Sequence, residues 1–237
     1  MIRAALRAAA LLAALLALQP VTAFGQSFDT GAAHYQSEEY TEALEIFLQL
    51  ANQGDVRSQY TLGLMYDRGQ GVAPDAAQAL RWFGLAAAQG NDGAQYNLGT
   101  MAEQGRGMAR NPVQALRWYR LAAEQGHPVA QFNLAVLYQR GIGTARDDRQ
   151  ALQWFAKAAE QGDIQAQHSL GLMLARGQGV TADPVRGLMW IDLAAALGEA
   201  PAIQSAEQIA ARMRPADVER ATMLARDCMR REFKSCG

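Results

Sequence analysis

Ala79-Leu80-Arg81-Trp82-Phe83 returns as Ala115-Leu116-Arg117-Trp118-Tyr119, as Ala151-Leu152-Gln153-Trp154-Phe155 and as Gly187-Leu188-Met189-Trp190-Ile191, each 36 residues after the last. A fixed period of this length marks a repeat array, in which each unit buries its apolar face only against its neighbours. Around each tryptophan the apolar and small residues recur at i, i+3, i+4 and i+7. Ala115, Trp118, Tyr119 and Ala122 form one such set, the stripe of an amphipathic helix. The alanine pairs Ala86-Ala87, Ala122-Ala123, Ala158-Ala159 and Ala194-Ala195 let helices approach closely. Trp82, Trp118, Trp154 and Trp190 are therefore structural residues that set repeat spacing, and truncating one to alanine should cost on the order of 3–5 kcal/mol.

Ahead of each tryptophan helix stand two glycines, two residues apart: Gly69 and Gly71, Gly105 and Gly107, Gly141 and Gly143, Gly177 and Gly179. The first of each pair ends a helix expected near 57–68, 93–104, 129–140 and 165–176, because glycine takes the left-handed conformation that satisfies the last carbonyls. Asp75, Asn111, Asp147 and Asp183 then cap the tryptophan helix by accepting from an unpaired N–H of its first turn. Pro112 and Pro184 occupy the first helical position, where a missing N–H costs nothing. Gln78, Gln114 and Gln150 stand three residues after the cap, at the spacing of a reciprocal capping box that Arg186 breaks. The tryptophan helices end at Gly90, Gly126, Gly162 and Gly198. With no strand signal, the fold class is all-α, a solenoid of helix-turn-helix repeats with a 36-residue period.

Both ends depart from the period. Arg3 and Arg7, the apolar run Ala8 to Leu18 and the small residue Ala23 describe a signal peptide over 1–23. The run is short of the about 20 apolar residues a membrane span needs, so an N-terminal anchor is the lesser alternative and no span follows cleavage. Residues 24–56 form an atypical hairpin, with Ile46 where later units have Trp. Residues 201–237 form capping helices, with Val218, Ala221, Leu224, Ala225 and Cys228 on the inner face of the last one. Removing residues 1–23 takes away Arg3 and Arg7 and no acid, moving the formal charge from −1 to −3. That argues against nucleic acid, which rewards a clustered basic face. The two cysteines, Cys228 and Cys236, fit a disulfide in an exported chain, while a redox pair lacks the C-x-x-C spacing. On one unbroken helix they would lie ~12 Å apart, beyond the ~7 Å that a bridge tolerates. The last helix is therefore expected to end near Phe233.

Gln95-Tyr96-Asn97-Leu98-Gly99, Gly105-Arg106-Gly107, Ala115-Leu116-Arg117-Trp118-Tyr119 and Ala122-Ala123-Glu124-Gln125-Gly126 resemble the Sel-1-like repeat, a tetratricopeptide-like branch of α-solenoids. The resemblance covers four units over 57–200. It implies a right-handed solenoid and an interaction scaffold, of which many bacterial examples are exported to the periplasm or beyond. It also implies that the outward side of the first helices lines a concave groove. On a helical wheel Gln95, Leu98, Gly99 and Ala102 share the packed arc, while Tyr96, Asn97, Thr100, Glu103 and Gln104 point away. The groove column is then Tyr60, Tyr96, Phe132 and His168, with Asn97 and Asn133 beside it. Aromatics supply contact area at low entropic loss and Asn amides can pair with an extended peptide backbone. The same aromatics could instead pack between repeats. Gln59, Gln95, Gln131 and Gln167 lie in the packed arc and should satisfy backbone.

No catalytic, metal or cofactor constellation emerges. The Gly-x-Gly turns lack the preceding strand and third glycine of a nucleotide site. His34, His127 and His168 have no ligand spacing. The serines lack Ser-x-x-Lys and Gly-x-Ser-x-Gly contexts. Some cysteine-rich members of the resembled family are weak β-lactam hydrolases, but they bridge cysteines within each repeat, and this chain has none there. A β-lactam- or peptidoglycan-directed hydrolase is left as the alternative only. The expectation is a monomeric exported scaffold that binds a protein or peptide and uses no cofactor.

Overall fold

The computed structural model describes residues 27–234 and Cys236. The signal peptide expected over 1–23 lies outside the described residues. Within them the chain forms twelve α-helices and no strand: α1 (Phe28–Gln36), α2 (Tyr40–Asn52), α3 (Val56–Arg68), α4 (Ala76–Ala88), α5 (Asp92–Gln104), α6 (Pro112–Glu124), α7 (Pro128–Arg140), α8 (Asp148–Glu160), α9 (Ile164–Arg176), α10 (Pro184–Ala196), α11 (Ala200–Ala210) and α12 (Pro215–Arg230). No helix among the described residues is long and apolar enough to cross a membrane. From α3 to α10, each odd-numbered first helix pairs with the second helix that follows it and packs on the one before it.

Caps set these boundaries. Asp75, Asn111, Asp147 and Asp183 each accept the N–H three residues on: Gln78, Gln114, Gln150 and Arg186. The expected reciprocal box does not form. The cap's own N–H donates instead to the preceding helix, as from Asp75 to Tyr66 O and from Asn111 to Ala102 O. Arg186 therefore breaks nothing, because only its backbone is needed. A second cap series opens the first helices at the same period: Asp55, Asn91, His127 and Asp163 accept from the third N–H.

The Gly-x-Gly turn has a role beyond closing a helix. Gly143, at φ 72°, lies so close to the first residue of α6 that a Cβ there would sit 2.4 Å from Pro112 O. Gly71, Gly107 and Gly179 nest the same way on the first residues of α2, α4 and α8, Tyr40, Ala76 and Asp148. The turn is thus a contact between repeats, and a side chain at its second glycine has no room.

Trp82, Trp154 and Trp190 are 3%, 8% and 1% exposed, while Trp118 is half-buried. Trp82 packs with Phe47 of the first hairpin and with Leu62 and Met65, so it spans a repeat boundary. Arg81 lies 4.8 Å from the Trp82 ring centroid and Lys157 lies 3.9 Å from that of Trp154, covering the outer faces.

Buried glutamines tie the units in series. Gln59, Gln95, Gln131 and Gln167 donate to Ala51, Ala87, Ala123 and Ala159 O on the preceding second helix. Their carbonyls accept from Gln89, Gln125 and Gln161 at 2.7–2.8 Å. The fourth place in that second series, 36 residues after Gln161, is Leu197. The fully buried Gln167 carbonyl accordingly has no partner among the described residues.

The C-terminal end departs from the sequence reading in its helix end and in Leu224. Helix α12 folds back on α10, with Ala225 and Cys228 packed into the cluster that holds Met189, Trp190 and Leu193. It ends at Arg230 rather than near Phe233, and Glu232 and Phe233 turn the chain at φ 52° and 65°. Cys228 and Cys236 are thereby brought to a Cα–Cα distance of 5.3 Å and joined. Phe233 reaches the end of α8 at Gly162. Leu224, expected on the inner face, is exposed with Met223 and Met229, because α12 rests on one helix instead of two.

Candidate functional site

The first helices of the four units carry the candidate column. Tyr60, Tyr96, Phe132 and His168 are all half-buried, each with one side against the repeat scaffold. Tyr60 tilts on Phe83 at 6.0 Å between centroids, Tyr96 on Tyr119 at 5.9 Å and Phe132 on Phe155 at 5.6 Å. Their other neighbour is the opening of the next first helix. Tyr60 covers Gly93, and Tyr96 stacks on His127 at 4.8 Å with rings 15° apart. Much of each ring is therefore engaged between repeats.

Burial acts on the polar groups beside the column. Desolvation raises the Tyr60 and Tyr119 hydroxyls above the usual tyrosine range. Tyr119 donates to Glu103 Oε2 at 2.8 Å and lies 3.3 Å from Thr100 Oγ1, so both of these residues face the tyrosine, where the wheel turned them outward. Desolvation also lowers His127 below the ordinary imidazole value. That fits its role, since Nδ1 must be unprotonated to accept from Ala130 N–H at 3.2 Å.

The two asparagines differ. Asn97 donates to Gly93 O of its own helix at 2.8 Å and lies beside the Tyr60 hydroxyl, so its amide is largely committed. Asn133 makes no side-chain hydrogen bond among the described residues and is half-buried. Of the expected pair, Asn133 keeps its amide available.

His168 ends the column with different chemistry. Its Nδ1 lies 3.0 Å from Glu199 Oε2 and its Nε2 lies 2.9 Å from Ser205 Oγ. Glu199 opens α11 but caps nothing; its longer side chain turns to the histidine instead. Sequence reasoning missed this constellation. The available signal was the cap series, which places Glu199 36 residues after Asp163 and so beside the histidine column. In form it is a nucleophile, base and orienting carboxylate. Ser205, however, also lies 2.8 Å from Pro201 O, and it sits inside α11, where backbone N–H groups are taken up by the helix. No backbone N–H pair is therefore open beside it for a developing oxyanion, and the side-chain donors nearby are those of Arg176, Gln208 and Arg212, which line one cavity with it. The three side chains hold α11 to α9. Among the described residues no cluster of His, Cys, Asp and Glu could hold a metal ion.

Sel1 repeats match this chain at residues 56–91, 93–127, 128–163 and 164–199, the four units just described. The chain belongs to the Sel1 repeat family. Among solved structures it is 33% identical to a Sel1 repeat protein from Oxalobacter formigenes, with a TM-score of 0.70, over 87% of this chain and 78% of that one. It is also 30% identical to c5321, a protective antigen of uropathogenic Escherichia coli strains displaying an SLR fold, with a TM-score of 0.77. That match covers 88% of this chain and 46% of the antigen, so the present chain spans less than half of the antigen's length. No curated protein shows a significant match. The Sel1 assignment makes the chain an α-solenoid scaffold of a kind generally used for protein–protein interaction.

Proposed function

We propose that this protein is an exported scaffold, periplasmic or secreted, that holds a protein or peptide partner along the outward side of its first helices. One observation carries the reading: four half-buried ring side chains recur there at 36-residue spacing, with the amide of Asn133 beside them. Rings fixed on one side present area to a ligand at little entropic loss, and a free amide can pair with an extended backbone. Tyr60, Tyr96 and Phe132 supply the contact area, Asn133 the hydrogen bonds, and Asn97 a smaller part. The Cys228–Cys236 bond supports an oxidising compartment and hence export, as do Arg3, Arg7 and the apolar run after them.

A photo-crosslinking side chain at position 133 tests the groove, with one at Arg117 on the exposed side of α6 as the comparison. We expect a discrete adduct with an envelope or extracellular protein from position 133 and none from 117. Adducts from 117 alone, or from neither, would sink the reading.

The hydrolase alternative rests on His168, Glu199 and Ser205. It predicts nitrocefin or muropeptide turnover that disappears in Ser205→Ala. We expect no turnover above that variant, because the helix leaves no backbone N–H beside Ser205 open to a developing oxyanion.

A further inference from the structure

The four nested turns point to a place where a fifth should be. Gly179 nests on Asp148, the first residue of α8. One period later the first residue of the second helix is Pro184, and the residues that would form the turn over it are Met213 and Pro215, not glycines. Proline lacks the N–H and the left-handed conformation, and methionine cannot enter the space a glycine fills. The chain instead runs off α11 into α12, which leaves for α10. What remains is an open cavity of about 220 Å³ between α9, the start of α10 and α11.

Its lining has two parts. Leu172, Ile209, Met213 and Pro184 make an apolar floor. Arg176 and Arg212 stand at its edge, and no carboxylate lines it. Both guanidiniums are exposed, and neither joins an ion pair among the described residues. The acid just before Pro184, Asp183, is occupied in accepting the Arg186 N–H. Two unpaired guanidiniums over an apolar floor complement one kind of group, a carboxylate attached directly to an apolar side chain. The volume falls below the about 300 Å³ at which small-molecule pockets begin, so it suits a single residue. Gln208, also on the lining, offers an amide to the peptide bond before that residue.

We propose that this cavity binds the C-terminal residue of a peptide, with the free α-carboxylate between Arg176 and Arg212 and an apolar side chain on the Leu172–Ile209–Met213 floor. The cavity borders the last member of the first-helix column, since Ser205 on its lining lies 2.9 Å from His168 Nε2, but it needs no partner on Tyr60, Tyr96 or Phe132.

Fluorescence polarisation with a labelled five-residue peptide ending in leucine tests it, against the same peptide as its C-terminal amide. The free acid should bind at least tenfold more tightly than the amide, and its affinity should fall with added salt. Arg176→Gln combined with Arg212→Gln should remove that tenfold advantage while leaving the thermal midpoint within a few degrees of the parent. Unlabelled N-acetylleucine carries every group the cavity recognises and should displace the labelled peptide within about tenfold of the unlabelled peptide's own potency, whereas acetate, which lacks the side chain and the amide, should not. Equal binding of acid and amide, no binding of either, an unaffected double variant, or failure of N-acetylleucine to displace the peptide would each overturn the proposal. Should the double variant unfold, Arg212→Gln alone, at an exposed position beyond the end of α11, provides the same comparison.

Discussion

Inside the array every junction between units is made twice, by a glycine turn seated on the preceding second helix and by a glutamine bonded across it. At the C-terminal junction both devices are missing. Position 215 is proline where a nesting glycine belongs, and position 197 is leucine where the amide partner of Gln167 belongs. The end is held instead by the His168–Glu199–Ser205 contacts and by α12 with its disulfide. The difference shows what one period encodes. Packing residues repeat because every interface needs them, whereas the turn and the amide repeat only where another unit follows.

The largest expected effect breaks the interior junction. Gly143→Ala forces alanine into a left-handed conformation and against Pro112 O, and should destabilise by about 3 kcal/mol. Met213→Gly, one period beyond Gly177, should change stability by less than about 0.5 kcal/mol. Urea unfolding of both variants measures the contrast, and equal losses would erase it. Next comes the substitute device at the end. Replacing Cys228 and Cys236 with serine should remove about 2–3 kcal/mol in the chain-entropy treatment of an eight-residue separation. Hydrogen exchange should place that loss in α12 and spare α3 to α8; uniform deprotection would mean the end is not a separate unit.

The amide series permits a test in both directions. Gln131→Leu removes the bonds to Ala123 O and from Gln161, each of which keeps a second partner in Gly126, and should cost about 1 kcal/mol. Leu197→Gln should supply the missing donor to Gln167 and add about 1 kcal/mol. A destabilised Leu197→Gln protein would show that the vacancy is not a missing rung. The smallest effect is in pH. The folded His127 value lies below the unfolded one of ~6.5, so the neutral ring's contribution is complete above that value and is lost as pH falls through the interval beneath it. Stability should decline on acidification in this window more in the parent than in His127→Asn, which caps as Asn91 does without titrating. Thermal midpoints at pH 7 and pH 5 compare the two.

Most of the repeat was legible because each signal is local. Gly141 ends α7 and Asp147 starts α8 through contacts within a few residues of themselves, so type and spacing were enough. Trp190 could be placed by its stripe for the same reason. Leu224 was misplaced, since its exposure depends on α12 leaving α11 for α10, and nothing within α12 records which helix it will meet. The constellation around His168 was hidden by separation: Glu199 and Ser205 lie 31 and 37 residues away and carry no motif. Of the groove residues, the aromatic column was readable as a period. That Asn97 would be spent on Gly93 while Asn133 stays free was not, because the acceptor is a backbone carbonyl four residues back that position 129 offers as well.

The glutamine series also bears on how the chain is made. Its side-chain bonds span 8, 30 or 35 residues, so each unit needs only the one before it. A chain emerging N-terminus first could add finished units in sequence while the rest is still being delivered. Only the closing segment, with Phe233 returning to Gly162, has to wait for the last residues to arrive.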